Sequence, residues 1–136
     1  MMMRILEGGN EEMFHLVIDL EMCKVPRDYR SKSYRYAYET IQIGAVLLDD
    51  SFKRIGTLCQ YVHPEHGVID YFIENLTGIK NSQVKKAPKL EEVLIHMIDW
   101  LGERDYKIYA WQAPLCGIFY PRSVAVARYA ALIRIN

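Results

Sequence analysis

Two acidic side chains, Asp19 and Glu21, lie at the end of a nearly continuous apolar run, Met13 to Leu20. The run has the length of a strand and is typical of one buried on both faces in the middle of a sheet. Because side chains two apart in a strand share a face, about 6.6 Å apart, the carboxylates would lie side by side. Such oxygen ligands suit Mg²⁺ or Mn²⁺, which would offset the cost of burying two acids. The spacing predicts a metal site at the strand end; the alternative is a pair of solvent-facing acids.

The elements that must position this pair follow the order β-β-β-α-β. The predicted strands cover residues 13–20, 40–49, 53–62 and 106–111, and the predicted helical pieces cover residues 70–75, 82–86 and 88–101. The first three strands are expected to form an antiparallel meander. The fourth follows a helix, so it should run parallel to the first. The expected fold class is α/β, a mixed central sheet with flanking helices.

Composition sets broad limits on function. The 136 residues carry 17 basic and 17 acidic side chains, so a nucleic-acid partner would have to be held by a local basic patch and not by bulk charge. Three widely spaced cysteines, Cys23, Cys59 and Cys116, indicate neither a zinc site nor a disulfide framework. No signal or membrane segment is evident, so we expect a cytoplasmic protein with no membrane partner. The oligomeric state cannot be read from the sequence.

The composition changes abruptly near the C-terminus. Residues 113–136 contain Arg122, Arg128 and Arg134 but no Asp, Glu, Lys or His, and all 17 acidic residues precede them. The chain is therefore predicted to divide into a flexible N-terminus (1–12), a domain (13–112) and an atypical tail (113–136).

A series of motifs occurs in a fixed order along residues 13–112. They are His15–Met22, Glu39–Val46, Leu76–Ile79 followed by Val84 and Ala87-Pro88, and Glu92–Leu94. In order and spacing this series resembles the DEDD exonucleases of the DnaQ-like group, which includes ribonuclease T, oligoribonuclease and the ERI-1-like nucleases. The resemblance implies a ribonuclease H-like fold, incomplete at its C-terminus. It also implies a 3'-5' exonuclease that hydrolyses RNA or single-stranded DNA to nucleoside monophosphates by two-metal-ion catalysis.

The resemblance also implies roles for individual residues. Asp19 and Glu21 would be the catalytic residues, the first two of four acidic ligands for two Mg²⁺ or Mn²⁺ ions. Met22 would border the terminal nucleotide through its backbone and side chain. Leu76 and Thr77 would lie near the terminal base and sugar, with a plain helix-turn packing contact as the alternative.

Glu39 is a further substrate-site candidate, because of its position. It opens the second predicted strand beside the carboxylate pair, where it could orient a metal-bound water. Structural roles remain open for it as well.

The chain departs from the family pattern after its fourth predicted strand. The family has a third aspartate there, and later a histidine five residues before a final aspartate, whereas nothing after Gln112 is acidic or a histidine. We hypothesise that the chain leaves its family near Gln112 through a frameshift, an early stop after altered sequence or a degenerate end. This form is then expected to be inactive. The alternative function is a non-catalytic nucleic-acid-binding or interaction module that retains the fold.

Basic and aromatic residues alternate between the first two predicted strands. The basic ones are Lys24, Arg27, Arg30, Lys32 and Arg35, and the aromatic ones are Tyr29, Tyr34, Tyr36 and Tyr38. Arginine can contact phosphates while tyrosine stacks on unpaired bases, so the segment is a candidate contact for a single strand. The alternative is an ordinary solvated loop.

Overall fold

A computed structural model of the protein describes residues 12–110. Its strands are β1 (Phe14–Lys24), β2 (Tyr38–Leu48), β3 (Arg54–Tyr61) and β4 (Tyr106–Ala110), and its helices are α1 (Tyr71–Thr77), α2 (Asn81–Val84) and α3 (Leu90–Leu101). The strands form one sheet in the order β3-β2-β1-β4, in which β1 is antiparallel to β2 and parallel to β4. The expected mixed sheet with flanking helices is confirmed. The predicted tail and all but the last residue of the predicted N-terminal segment lie outside the described residues.

β1 is an interior strand and is longer than the apolar run suggested. It continues to Lys24 because its pairing with β2 resumes after an irregularity between Glu21 and Met22. Asp19 and Glu21 therefore lie within the strand, and the expectation that they end it was wrong. A local break in pairing of this kind increases strand twist and re-aims nearby side chains.

The alternation of β1 divides the sheet into two different faces. One face, here called the α3 face, carries Leu16, Ile18 and Leu20, which are buried in a core with residues of α3. The opposite face, here called the carboxylate face, carries Val17, Asp19 and Glu21. Asp19 is exposed, while Val17 and Glu21 are half-buried. His15, also on the carboxylate face, is only 6% exposed, so that face is buried at its start and opens to solvent at Asp19. The expected burial on both faces therefore does not extend to the acids.

A second core cluster lies at the end of β1. Cys23 packs there with Ile41 of β2 and with residues of α1, α2 and their flanking loops, namely Ile69, Ile73, Ile79 and Val84. α1 begins where the Asp70 carboxylate accepts a hydrogen bond of 2.9 Å from the Ile73 amide, and it ends at Gly78, whose φ of 73° is left-handed. The cluster fixes α1 beside the strand that carries the acids.

α3 forms as its apolar spacing predicted. Val93, Met97 and Leu101 are buried on one side, and the helix ends at Gly102, which has a φ of 62°. It begins two residues after Pro88 and not at it. No helix within residues 12–110 is long and apolar enough to cross a membrane.

Candidate nuclease site

The two acids occupy the middle of the carboxylate face. Asp19 lies opposite Gly44 of β2, and Glu21 lies opposite Gln42. On the other side, Ala110 of β4 pairs with Ile18, one residue before Asp19. Since Asp19 is exposed, its carboxylate can be reached from solvent, and the desolvation cost that favoured a metal in the sequence argument does not apply to it.

The carboxylates are ligands of the type that a hard cation prefers, but there are too few of them for a complete site. Their oxygens are the ligands that Mg²⁺ and Mn²⁺ prefer. Within residues 12–110, however, no group of three or more His, Cys, Asp or Glu side chains could hold a metal ion. Two adjacent acids do not make a complete two-ion site, so no catalytic step through a metal follows from this part of the chain.

Met22 belongs to the core. Its side chain is only 9% exposed and lies in the cluster that joins the sheet to α3. Alternation along β1 turns this side chain away from the carboxylate face, so its proposed contact with a terminal nucleotide stays a prediction that the core position does not favour. Its backbone lies at the irregularity beside Glu21, so the backbone contact stays a prediction.

Leu76 and Thr77 end α1 in different ways. Leu76 is 48% exposed, which leaves its side chain available to contact a base. The Thr77 hydroxyl donates to the Ile73 carbonyl at 2.8 Å and accepts from the Ile79 amide at 3.1 Å. Its polar atom is thus engaged in ending the helix, as the packing alternative expected. A sugar contact by Thr77 remains a prediction that must share this hydroxyl.

Glu39 has a structural task that the sequence did not reveal. One carboxylate oxygen accepts from the Glu65 amide at 2.5 Å, and the other accepts from the amides of His66 and Gly67 at 2.8 and 2.5 Å. The side chain is 7% exposed and lies opposite Cys23 in the sheet. These bonds hold the loop at residues 65–67 against the end of β1. Both oxygens already accept hydrogen bonds from this loop, so a water-orienting role for Glu39 stays a prediction that must share them.

The contacts of Glu39 had no local signal. Its partners are 26 to 28 residues away along the chain, so no pattern around residue 39 could identify them. Gly67 fits this arrangement because a Cβ there would stand 2.5 Å from the Cys23 sulfur and 3.2 Å from a Glu39 oxygen. The close approach of these three residues is a product of tertiary packing.

Cys23 is a buried, neutral thiol. Its side chain is fully buried, and burial, aided by the negative charge of Glu39, raises the pKa of the thiol to about 12 from its usual 9.0. A thiol with such a pKa is protonated at neutral pH and is therefore a poor nucleophile. Cys23 therefore contributes packing to the cluster around α1 and α2.

Comparison with known proteins gives two kinds of similarity. Residues 107–136 match the model of a family of unknown function, DUF6783, a range that contains the whole of 113–136. No curated protein matches the chain. The structural similarities, by contrast, are to 3'-exonucleases.

Three solved structures illustrate the structural similarity. The nuclease domain of 3'hExo, a DEDDh family member bound to rAMP, has a TM-score of 0.60 and 24% identity, over 85% of this chain and 60% of that one. A 3'-exonuclease that recognises the 3' end of a histone mRNA stem-loop has a TM-score of 0.61 and 23% identity, over 85% and 41%. Cell-death related nuclease 4 has a TM-score of 0.57 and 21% identity, over 71% and 34%.

These similarities establish the fold. The chain has the mixed sheet and flanking helices of the ribonuclease H-like nuclease domains. It spans 34% to 60% of the length of these exonucleases, so it corresponds to a part of them. At identities of 21% to 24%, the likeness concerns the fold and not the identity of individual site residues.

Proposed function

We propose that this chain is part of a metal-dependent 3'-5' exonuclease that acts on the 3' end of RNA or single-stranded DNA and releases nucleoside monophosphates. One observation carries the proposal. Asp19 and Glu21 lie two residues apart on an interior strand, on the sheet face opposite α3, in a fold shared with 3'-exonucleases. The fold alone does not define a function, and this acid pair is the chemical feature that favours a metal-dependent nuclease among the functions the fold can support.

The proposed roles follow from position and exposure. Asp19 and Glu21 would hold Mg²⁺ or Mn²⁺, which, when bound, supplies Lewis acidity and a nucleophile for phosphodiester hydrolysis. Leu76, exposed on α1, would contact the terminal base. The related structures bound to rAMP and to an mRNA stem-loop support an RNA end as the first substrate to test.

A second candidate function is a binding module without catalysis. It is favoured by the absence of any three-residue metal cluster within residues 12–110 and by the sequence, whose last histidine is His96 and whose last acid is Asp105. Two carboxylates without a general base cannot activate water efficiently. We therefore propose that the chain as written binds a 3' end but does not shorten it.

The experiment uses the full chain and a 5'-fluorescein-labelled oligouridylate with a free 3' hydroxyl. Anisotropy is measured with Mn²⁺ or with EDTA, and the products are resolved on a gel. The test variant is Asp19→Asn with Glu21→Gln, and the control is Asp99→Asn with Glu103→Gln, which removes two exposed acids on and just beyond α3.

We expect binding that requires Mn²⁺, is lost in the test variant and is retained in the control, without stepwise shortening. Shortening abolished by the test variant would show that the chain is itself an active exonuclease. Binding indifferent to Mn²⁺ and to the test variant would rule out the proposed metal site and leave the binding module.

A further inference from the structure

We propose that Lys24 and the β1–β2 connection, residues 25–37, form a surface that holds the single-stranded nucleic acid upstream of its 3' end. This surface is called the basic segment below. The inference rests on the proposed function, since it places the strand relative to Asp19 and Glu21. It adds a second contact region, outside the acid pair, that would set affinity for longer strands.

Positive charge is concentrated in the basic segment. It contains five basic residues and one acid, Asp28, whereas the rest of residues 1–112 contains nine basic and sixteen acidic residues. All five basic side chains are exposed, and they are Lys24, Arg27, Arg30, Lys32 and Arg35. A chain with no net charge thus carries a local positive surface, which is what binding of a polyanion requires.

The basic segment begins where the candidate site ends. β1 leads from Glu21 into Lys24, and at about 3.3 Å per residue the two lie about 10 Å apart along the strand. The Lys24 ammonium lies 4.9 Å from the centre of the Phe72 ring on α1. Phe72 is 49% exposed and Leu76, one turn further along α1, is 48% exposed. If the 3' end of a nucleic acid lies beside Leu76, its preceding nucleotides can therefore reach Lys24 and the rest of the basic segment.

The basic segment is fixed to the rest of the protein through Tyr34. The Tyr34 hydroxyl donates to the Tyr38 carbonyl at 2.7 Å, and the Tyr34 ring stacks on His66 with 4.4 Å between ring centres. The His66 amide in turn donates to Glu39. Glu39 is thus a positioning residue for this surface. Because the support is already formed, less conformational entropy is lost when a ligand binds.

The side chains of the basic segment favour an unpaired strand as the ligand. Tyr29 is 58% exposed and stands between Arg27 and Arg30 in the sequence, within a single turn of 3-10 helix. An exposed ring between cations can stack on a base while the cations contact phosphates. In a duplex the face of each base is covered by its neighbours, so the Tyr29 ring could not stack on it.

The experiment compares oligouridylates of 3 and 12 nucleotides on the full chain. The test variant is Arg27→Gln, Lys32→Gln and Arg35→Gln, which spares Arg30 because its Nε donates to the Val25 carbonyl at 3.2 Å. The control is Lys80→Gln, Lys85→Gln and Lys86→Gln, which also removes three exposed charges, next to α2. Affinity is measured by anisotropy at several salt concentrations, and circular dichroism checks that each variant is folded.

We expect the test variant to weaken binding of the 12-mer about tenfold and to lower its salt slope by about 2, because each lost phosphate contact removes about 0.7 from the slope. Binding of the 3-mer should not change. The control should bind both oligonucleotides like the parent chain. Equal weakening in both variants, or no change in the test variant, would overturn the inference.

Tyr29 supplies a second variant that removes no charge. Tyr29→Ala should weaken binding of the 12-mer about fivefold or more, while Tyr29→Phe should retain it, because stacking needs the ring and not the hydroxyl. Equal affinity of the two variants would exclude stacking on Tyr29.

Failure of the inference is distinguishable from failure of the proposed function. If the proposed function fails, Asp19→Asn with Glu21→Gln leaves 3-mer binding unchanged, and the 12-mer still binds more tightly than the 3-mer. If the inference fails, the variant with three substitutions in the basic segment still binds the 12-mer more tightly than the 3-mer. The acid-pair variant, in contrast, still loses affinity for the 3-mer. A 12-mer duplex that binds as tightly as the single strand would also contradict the inference.

Discussion

The two faces of the sheet use the same strand for different purposes. On the α3 face, Leu16 and Ile18 are almost entirely buried against the helix, and the contacts are apolar. On the carboxylate face, Asp19 is exposed and Glu21 is half-buried. Alternation along a single strand thus separates residues that stabilise the fold from residues that can meet a ligand. The difference suggests that mutations on one face should change stability and mutations on the other should change binding.

The largest expected effect comes from the α3 face. Leu16→Ala should lower the free energy of unfolding by about 2–5 kcal/mol, because it leaves a cavity in a site with no solvent access. Val17→Ala, its neighbour on the half-buried carboxylate face, should cost about 1 kcal/mol or less. Urea unfolding of the full chain measures both. Equal losses would show that the carboxylate face is as tightly packed as the α3 face.

The next effect compares two kinds of carboxylate. Glu39→Ala should destabilise the protein by about 2–3 kcal/mol, because the part-buried amides of His66 and Gly67 lose their charged acceptor. Glu39→Gln keeps one acceptor oxygen and should lose less. Asp19→Ala, at an exposed position, should change stability by about 0.5 kcal/mol or less. A loss from Asp19→Ala as large as that from Glu39→Ala would contradict the division between structural and ligand-facing acids.

The smallest effect concerns the Cys23 thiol in the core cluster at the end of β1. The pKa of Cys23 is about 12 in the folded protein and 9.0 ordinarily, so folding favours the neutral thiol. The resulting stability is complete below pH 9.0 and is lost as the pH rises from there towards about 12. Urea unfolding between pH 7.5 and 10.5 should show this decline, and Cys23→Ala should reduce its slope. An unchanged slope would mean that another group causes the decline.

Cysteine labelling provides an independent check of that burial. In the native chain at pH 8, iodoacetamide should modify the exposed Cys59 and leave Cys23 unmodified until urea is added. Peptide mass spectrometry separates the two sites. Labelling of native Cys23 at the rate of Cys59 would show that the cluster around α1 opens readily.

The parts of the fold that were predicted correctly depend on local patterns. The apolar spacing of α3 is a property of consecutive residues, and the parallel direction of β4 follows from the helix that precedes it. The end of β1 was wrong for a different reason. Polar residues after Leu20 resemble the end of a strand, but pairing with β2 continues to Lys24 because the partner strand is present there. Strand length is decided by the neighbour as well as by the sequence.

The candidate site was predictable in its acids and not in its surroundings. The i, i+2 spacing alone places Asp19 and Glu21 on one face. Which face is covered depends on where α3 packs, and that decided the burial of Met22 and the exposure of Asp19. The hydrogen bonds of Glu39 join residues 26 to 28 positions apart, beyond the reach of any local pattern.

The sequence by itself determined the order of the elements, the pairing of two carboxylates on one strand and the concentration of positive charge between β1 and β2. These are properties of residues close together in the chain. Only the tertiary structure decided which acid is structural and which can meet a ligand, because desolvation and hydrogen bonding depend on distant residues. The same physics makes Glu39 part of the support for the basic segment and leaves Asp19 open to solvent.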